Sequence, residues 1–183
     1  MPHIHTQPGQ NDHTVTAYIV RIDGDEPRAF VHMHRKHNKL LPVGGHIELN
    51  ETPWQAIAHE LTEESGYTLD ELSILQPRVR LDNLEDLVVH PCPVMSNTHR
   101  ISDEHAHSDT SYAMIATDAP KGSVHDGEST DLRWMTLAEM AALPEGVIWP
   151  NTQRVYEFMI STLLNDWVSV PATSFSLASP HDV

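Results

Sequence analysis

Glu60, Glu63 and Glu64 stand at i, i+3 and i+4, a spacing that stacks three carboxylates on one face of a helix. The helix itself is legible. Thr52 with Gln55 forms a capping box, and Pro53 takes the first helical position. Trp54, Ile57, Ala58 and Leu61 recur as one apolar stripe, and Gly66 stands where a left-handed cap ends a helix. The pattern predicts a helix over 52–65. Its acids work against it: like charges at this spacing each cost roughly 0.2–0.5 kcal/mol, and they crowd the end where the helix dipole favours cations. A solvated acidic face is the plain alternative. Three carboxylates beside the Gly44-Gly45 turn suit instead a hard divalent cation that takes oxygen ligands, Mg²⁺ or Mn²⁺.

Other elements must hold this helix in place. His13 to Ile22 alternates, with Val15, Ala17 and Ile19 on one face and Thr14, Thr16 and Tyr18 on the other, which predicts a strand. Ala29 to Arg35 is a second strand, joined to the first through the turn Asp23-Gly24-Asp25-Glu26-Pro27. The basic cluster Arg35, Lys36, His37 and Lys39 precedes the Gly-Gly turn. Positive charge delivered there in an acidic chain suggests phosphate contact. Arg35 and Lys39, with His46 beside the turn, are assigned to substrate, against a solvated loop as the alternative. Residues 72–81 and 86–95 read as strands joined by an acidic turn, Asp82-Asn83-Leu84-Glu85. His105, His107 and Asp109 share one side if extended. Zinc would accept them, but a structural zinc site normally gathers four ligands, often with cysteine, so a solvated loop is the preferred reading. Residues 111–117 form another strand, and 151–168 a second long helix with Val155, Phe158, Met159, Thr162 and Leu163 on its stripe.

The residues around the acids carry a resemblance. Gly45, Glu51, His59-Glu60-Leu61, Glu63-Glu64 and Gly66-Tyr67 are spaced as in the Nudix box, Gly-x5-Glu-x7-Arg-Glu-U-x-Glu-Glu-x-Gly-U, where U is bulky and apolar. Every Gly and Glu of that pattern is present; the departure is His59, which stands where the family has Arg. Histidine keeps a donor but loses the two-pronged fork, and its charge becomes pH-dependent. Residues 125–140 resemble a second family segment, an acidic loop, a short strand ending in Trp134 and a helix started by Thr136.

The resemblance covers about residues 13–166 and implies an α+β Nudix fold, a mixed β-sheet held between helices. It implies a pyrophosphate hydrolase acting on a nucleoside diphosphate linked to another moiety. A metabolite-sensing module that binds without cleaving is the alternative. By family analogy Glu60, Glu63 and Glu64, with the Gly44 carbonyl, hold the metal. Glu128, six residues before Trp134, adds a ligand or general base, with Asp126 and Asp131 as competitors. Glu60 or Glu128 takes the water's proton, and Glu51 braces the loop through His59. The loop 99–109 is a specificity element by the same analogy.

Composition bounds the rest. The 183 residues suffice for one domain, expected over 13–168, with a flexible arm over 1–12 and a poorly packed tail over 169–183. A net charge of −15 argues against a nucleic-acid polymer as partner, since phosphate backbones need a basic footprint, and is compatible with a small nucleotide. No apolar run suits a membrane span. The single cysteine, Cys92, rules out an internal disulfide and fits a reducing cytoplasm. Homodimers are common in the resembled family.

Overall fold

A computed structural model describes residues 7, 9–81 and 84–179. The predicted helix is present as α1 (Pro53–Ser65). Thr52 and Gln55 make the reciprocal capping box, and Gly66 closes the helix in the left-handed region at φ 75°. Strand β1 (Asn11–Arg21) runs through the middle of the sheet. One edge of β1 pairs antiparallel with β2 (Arg28–His34) and β4 (Val43–His46). Its other edge pairs in parallel with β7 (His105–Ala116), from Asn11 opposite Ala106 to Arg21 opposite Ala116.

The remaining strands extend the sheet outward. On the β2 side lie β3 (Lys39–Leu41) and β8 (Leu132–Met135). On the β7 side lie β5 (Leu72–Gln76), β6 (Met95–Ser102) and β9 (Val168–Pro171). Helix α2 (Leu137–Ala141) is capped by Thr136. Helix α3 (Pro150–Phe158) continues as a π-helical turn over Met159–Leu163 and a short α-turn over Leu164–Asp166. This is the expected α+β architecture, a mixed sheet with helices on both faces.

Alternation along the strands sorts the core into two layers. Val15, Ala17 and Ile19 of β1 join Phe30, Tyr112 and Met114 beneath Trp54, Ile57 and Leu61 of α1. Tyr18 and Val20 join Val31, Ala113 and Ile115 beneath Met140, Tyr156, Met159 and Leu163 of the α2–α3 side. The buried stripe of α3 and its π-helical continuation is Thr152, Tyr156, Met159 and Leu163, whereas Phe158 is 46% exposed. The apolar side chain at 158 had suggested a stripe one position out of phase. Among the described residues, no helix is long and apolar enough to cross a membrane.

Several expectations need correction. Residues 86–94 form no strand. Pro91 and Pro93 lack the N–H a ladder requires, and the buried Gln76 side chain serves Cys92 instead, accepting from its N–H at 2.8 Å and donating to its carbonyl at 3.1 Å. The turn expected at 82–85 falls partly on residues 82 and 83, outside the described residues. Residues 99–109 are not a loop but a β-hairpin, closed by the tight turn at Asp103-Glu104. The segment after 168 is not poorly packed: it supplies β9, buries Ala172 and sets Phe175 against Trp54 with ring centres 6.0 Å apart. Residues 180–183 of that segment lie outside the described residues. At the other terminus, residues 1–6 and 8 of the expected arm also lie outside them, while Asn11 and Asp12 already belong to β1.

Candidate active site

The Gly-Gly turn and the acidic face of α1 meet at β4, and the fit depends on what the glycines lack. A β-carbon on Gly45 would lie 1.9 Å from Glu60 Oε1, so the carboxylate occupies the space a side chain would fill. Gly44, at φ 158°, would put a β-carbon 2.2 Å from the Val15 carbonyl oxygen, and its N–H donates to Glu64 Oε2 at 2.9 Å. Helix spacing delivers Glu60 and Glu64 to the turn, and β4 receives them because it has no side chains there. At the far end of α1, Gly66 lies so close to Gly122 that a β-carbon would meet the Gly122 carbonyl at 2.8 Å. That contact anchors the connection leading to residues 125–129.

His59 sits between two acids. Its Nδ1 is 3.3 Å from Glu51 Oε1 and its Nε2 is 3.0 Å from Glu63 Oε1. Glu51 also accepts the Glu48 N–H at 3.2 Å. The imidazole therefore links the loop before α1 to the helix. Partial burial pulls the His59 pKa down, but Glu63, Glu51 and Glu60 outweigh it, and the net direction is up.

Burial raises both inner carboxylates. Glu60 is 2% exposed and pushed up to about 7 by burial, which His59 opposes and Glu63, Glu128 and Glu51 reinforce. Glu64 is 6% exposed and pushed up to about 9 by burial, opposed by the Gly44 N–H and reinforced by Glu60, Glu128 and Glu63. Buried, mutually repelling carboxylates destabilise a fold unless a cation compensates them. The donors are all oxygens, which suits a hard divalent ion. Glu60 and Glu64 bring oxygen donors of that kind to the turn.

Of the other assigned residues, some converge and some do not. Arg35 Nη1 donates to the Gly127 carbonyl at 2.5 Å, which ties the guanidinium to the loop carrying Glu128. Asp131, a competitor of Glu128, is held in a two-pronged pair by Arg133 at 2.8 and 2.7 Å. Lys39 turns away. Its ammonium donates to the Gly146 carbonyl and lies 4.2 Å from the centre of the Trp149 ring, a cation–π contact. His46 also turns away, because consecutive residues of β4 face opposite sides of the sheet. Gly45 faces α1, while His46 lies opposite Thr14 with its Nε2 3.4 Å from Asp12 Oδ2.

Two histidines join the site without having been assigned to it. His32 is 1% exposed, on the same face of β2 as Phe30, and its Nε2 lies 3.5 Å from Glu64 Oε2. Burial pushes its pKa down, against a backbone contact at Pro42. The signal was a histidine at an inward position of a strand. His125 donates its backbone N–H to the Glu63 carbonyl at 2.9 Å, and its Nδ1 is 3.4 Å from Glu63 Oε1. Nothing local marked it, since the 125–129 loop meets α1 only in the folded chain.

Comparison with known proteins gives a consistent picture. The NUDIX domain family model matches residues 12–157. A NUDIX-family hydrolase from Clostridium perfringens is similar in structure, with TM-score 0.66 and 26% identity, covering 84% of this chain and 99% of that one. An Ap4A hydrolase from C. elegans gives TM-score 0.61 at 14% identity, over 84% and 99% of the two chains. The NUDIX domain of Shewanella oneidensis NrtR, solved with ADP ribose, gives TM-score 0.57 at 14% identity, over 81% and 85%. No curated protein matches the chain.

Proposed function

Because the chain belongs to the Nudix family, the pyrophosphohydrolases, we propose that it splits the pyrophosphate bond of a nucleoside diphosphate linked to another moiety. Mg²⁺ or Mn²⁺ would be held by Glu60, Glu63, Glu64 and Glu128 with the Gly44 carbonyl. When bound there, such an ion neutralises the phosphates and acidifies an attacking water. The observation that carries the reading is the pair of buried carboxylates, Glu60 and Glu64, pressed onto the glycine turn of β4.

The chain's own residues divide the remaining work. Glu60 or Glu128 accepts the proton of the water. Arg35, anchored beside Glu128, reaches the substrate phosphates. Glu51 and His59 hold the helix against its entry loop, the task the family gives to Arg. With a net charge of −15, the partner is a small nucleotide whose phosphates meet bound metal rather than a basic surface.

A phosphate-release screen tests this, run with Mg²⁺ and with Mn²⁺ on a panel that includes Ap4A and ADP-ribose, beside Glu64→Gln. The wild type is expected to turn over one substrate class, and the variant to lose turnover by orders of magnitude with its fold intact. Near-normal turnover in the variant would remove Glu64 from the ligand set. Tight nucleotide binding with no turnover across the panel would identify a sensor.

A further inference from the structure

On the face of the sheet opposite the acids, a second group of ligand-type side chains converges. Asp12 on β1 and His107 on β7 are register partners. His105 lies two residues back on β7, on the same face. One ligand atom from each of Asp12, His105 and His107 lies within 4.8 Å of the others. His105 Nε2 is 3.1 Å and His46 Nε2 is 3.4 Å from Asp12 Oδ2. The His107 ring packs 4.9 Å from that of His46 and 5.2 Å from that of His105. Asp12 is 4% exposed, and the side chains of His46 and His105 are 11% exposed.

Asp109, which the sequence groups with His105 and His107, belongs elsewhere. It accepts hydrogen bonds from Thr14, Thr16 and Ser111 at 3.0, 2.9 and 2.6 Å. Strand pairing replaces it with Asp12.

We propose that Asp12, His105 and His107 form a binding site for a transition-metal ion of the zinc type, with His46 placed to supply the fourth ligand. Two arguments lead there. Ligand atoms of Asp12 on β1 and of His105 and His107 on β7 come within 4.8 Å of one another, and His46 of β4 reaches the same carboxylate. Ligands at ~2.0–2.1 Å around a tetrahedral zinc stand ~3.3 Å apart, and the two contacts to Asp12 already have that spacing. The donor set also differs in kind from the carboxylate site: imidazole with one carboxylate suits zinc, cobalt or nickel, whereas the all-oxygen set suits magnesium. An ion here would pin β1, β4 and β7 together.

Cobalt reports the geometry directly. Full-length protein is stripped with a chelator, supplied with millimolar Mg²⁺ to occupy the carboxylates, and titrated with Co²⁺ and separately with Zn²⁺. The wild type is expected to bind one equivalent with the strong visible absorption of four-coordinate cobalt, and equimolar Zn²⁺ should raise its Tm. His105→Gln and His107→Gln should each weaken binding about tenfold or more and abolish the Tm shift, while Glu64→Gln leaves both unchanged. The weak spectrum of six-coordinate cobalt in the wild type would overturn the site whatever the variants do. So would equal affinity in wild type and both histidine variants, which means adventitious binding to surface histidines. Loss of binding in Glu64→Gln alone would assign the ion to the carboxylates and overturn the site as well.

Discussion

Glu60 and Glu64 retain protons in the metal-free protein at pH values where the unfolded chain has lost them, since burial raises both. A carboxylate whose folded pKa lies above its unfolded value loses stability as pH rises from the unfolded toward the folded value. The metal-free protein should therefore melt at progressively lower temperature from about pH 5 to pH 8. Mg²⁺ should restore more stability at pH 8 than at pH 6, because binding must displace those protons. Melting curves with and without Mg²⁺ check this, and a flat profile would show the carboxylates ionised throughout. His59 has the opposite sign. Its folded pKa is raised, so its contribution is present below about pH 6.5, its ordinary value, and lost as pH climbs through the raised one. His59→Arg should remove that loss and flatten activity between about pH 5.5 and 7.5. An unchanged profile would show that the imidazole's charge carries no weight in the Glu51–Glu63 link.

At the scale of elements, the site is a match between a helix that brings acids and a strand that lacks side chains. Gly45→Ala should expel Glu60 from β4 and weaken Mg²⁺ binding severely while the fold persists, since the clash falls on one carboxylate rather than on backbone. Isothermal titration with Mg²⁺ checks it, and unaltered affinity would mean that Glu60 is not a ligand. The acids on α1 were legible because helix spacing alone stacks them, and the caps Thr52 and Gly66 lie within the same stretch of chain. The misplacement of His46 follows from parity: once 43–46 is a strand, Gly45 and His46 must face opposite sides, and only the pairing with β1 reveals that strand. Lys39 was misread for a related reason. Its partners, Gly146 and Trp149, come from the connection before α3, far along the chain. His32 and His125 likewise reach the acids through contacts that spacing does not encode.

The whole molecule depends on segments distant in sequence. The stretch after residue 168, polar enough to read as a loose tail, closes the α1 layer through β9, Ala172 and Phe175, and Gln55 of α1 donates to the Leu177 carbonyl at 2.9 Å. Truncation after residue 167 should lower Tm by several degrees, and Phe175→Ala should reproduce part of that loss by uncovering Trp54. Equal melting of full-length and truncated chains would restore the loose-tail reading.

The parallel pairing of β1 with β7 also sets a timetable for synthesis. One edge of β1 can be covered early by β2 and β4. The other edge waits for residues 105–116, and at ribosomal rates that interval is roughly 5–20 s. Throughout it, the apolar run from Val15 to Val20 presents an open, uncharged edge to any neighbouring chain. Slowing translation between codons 22 and 105 would lengthen that exposure without altering the finished protein at all.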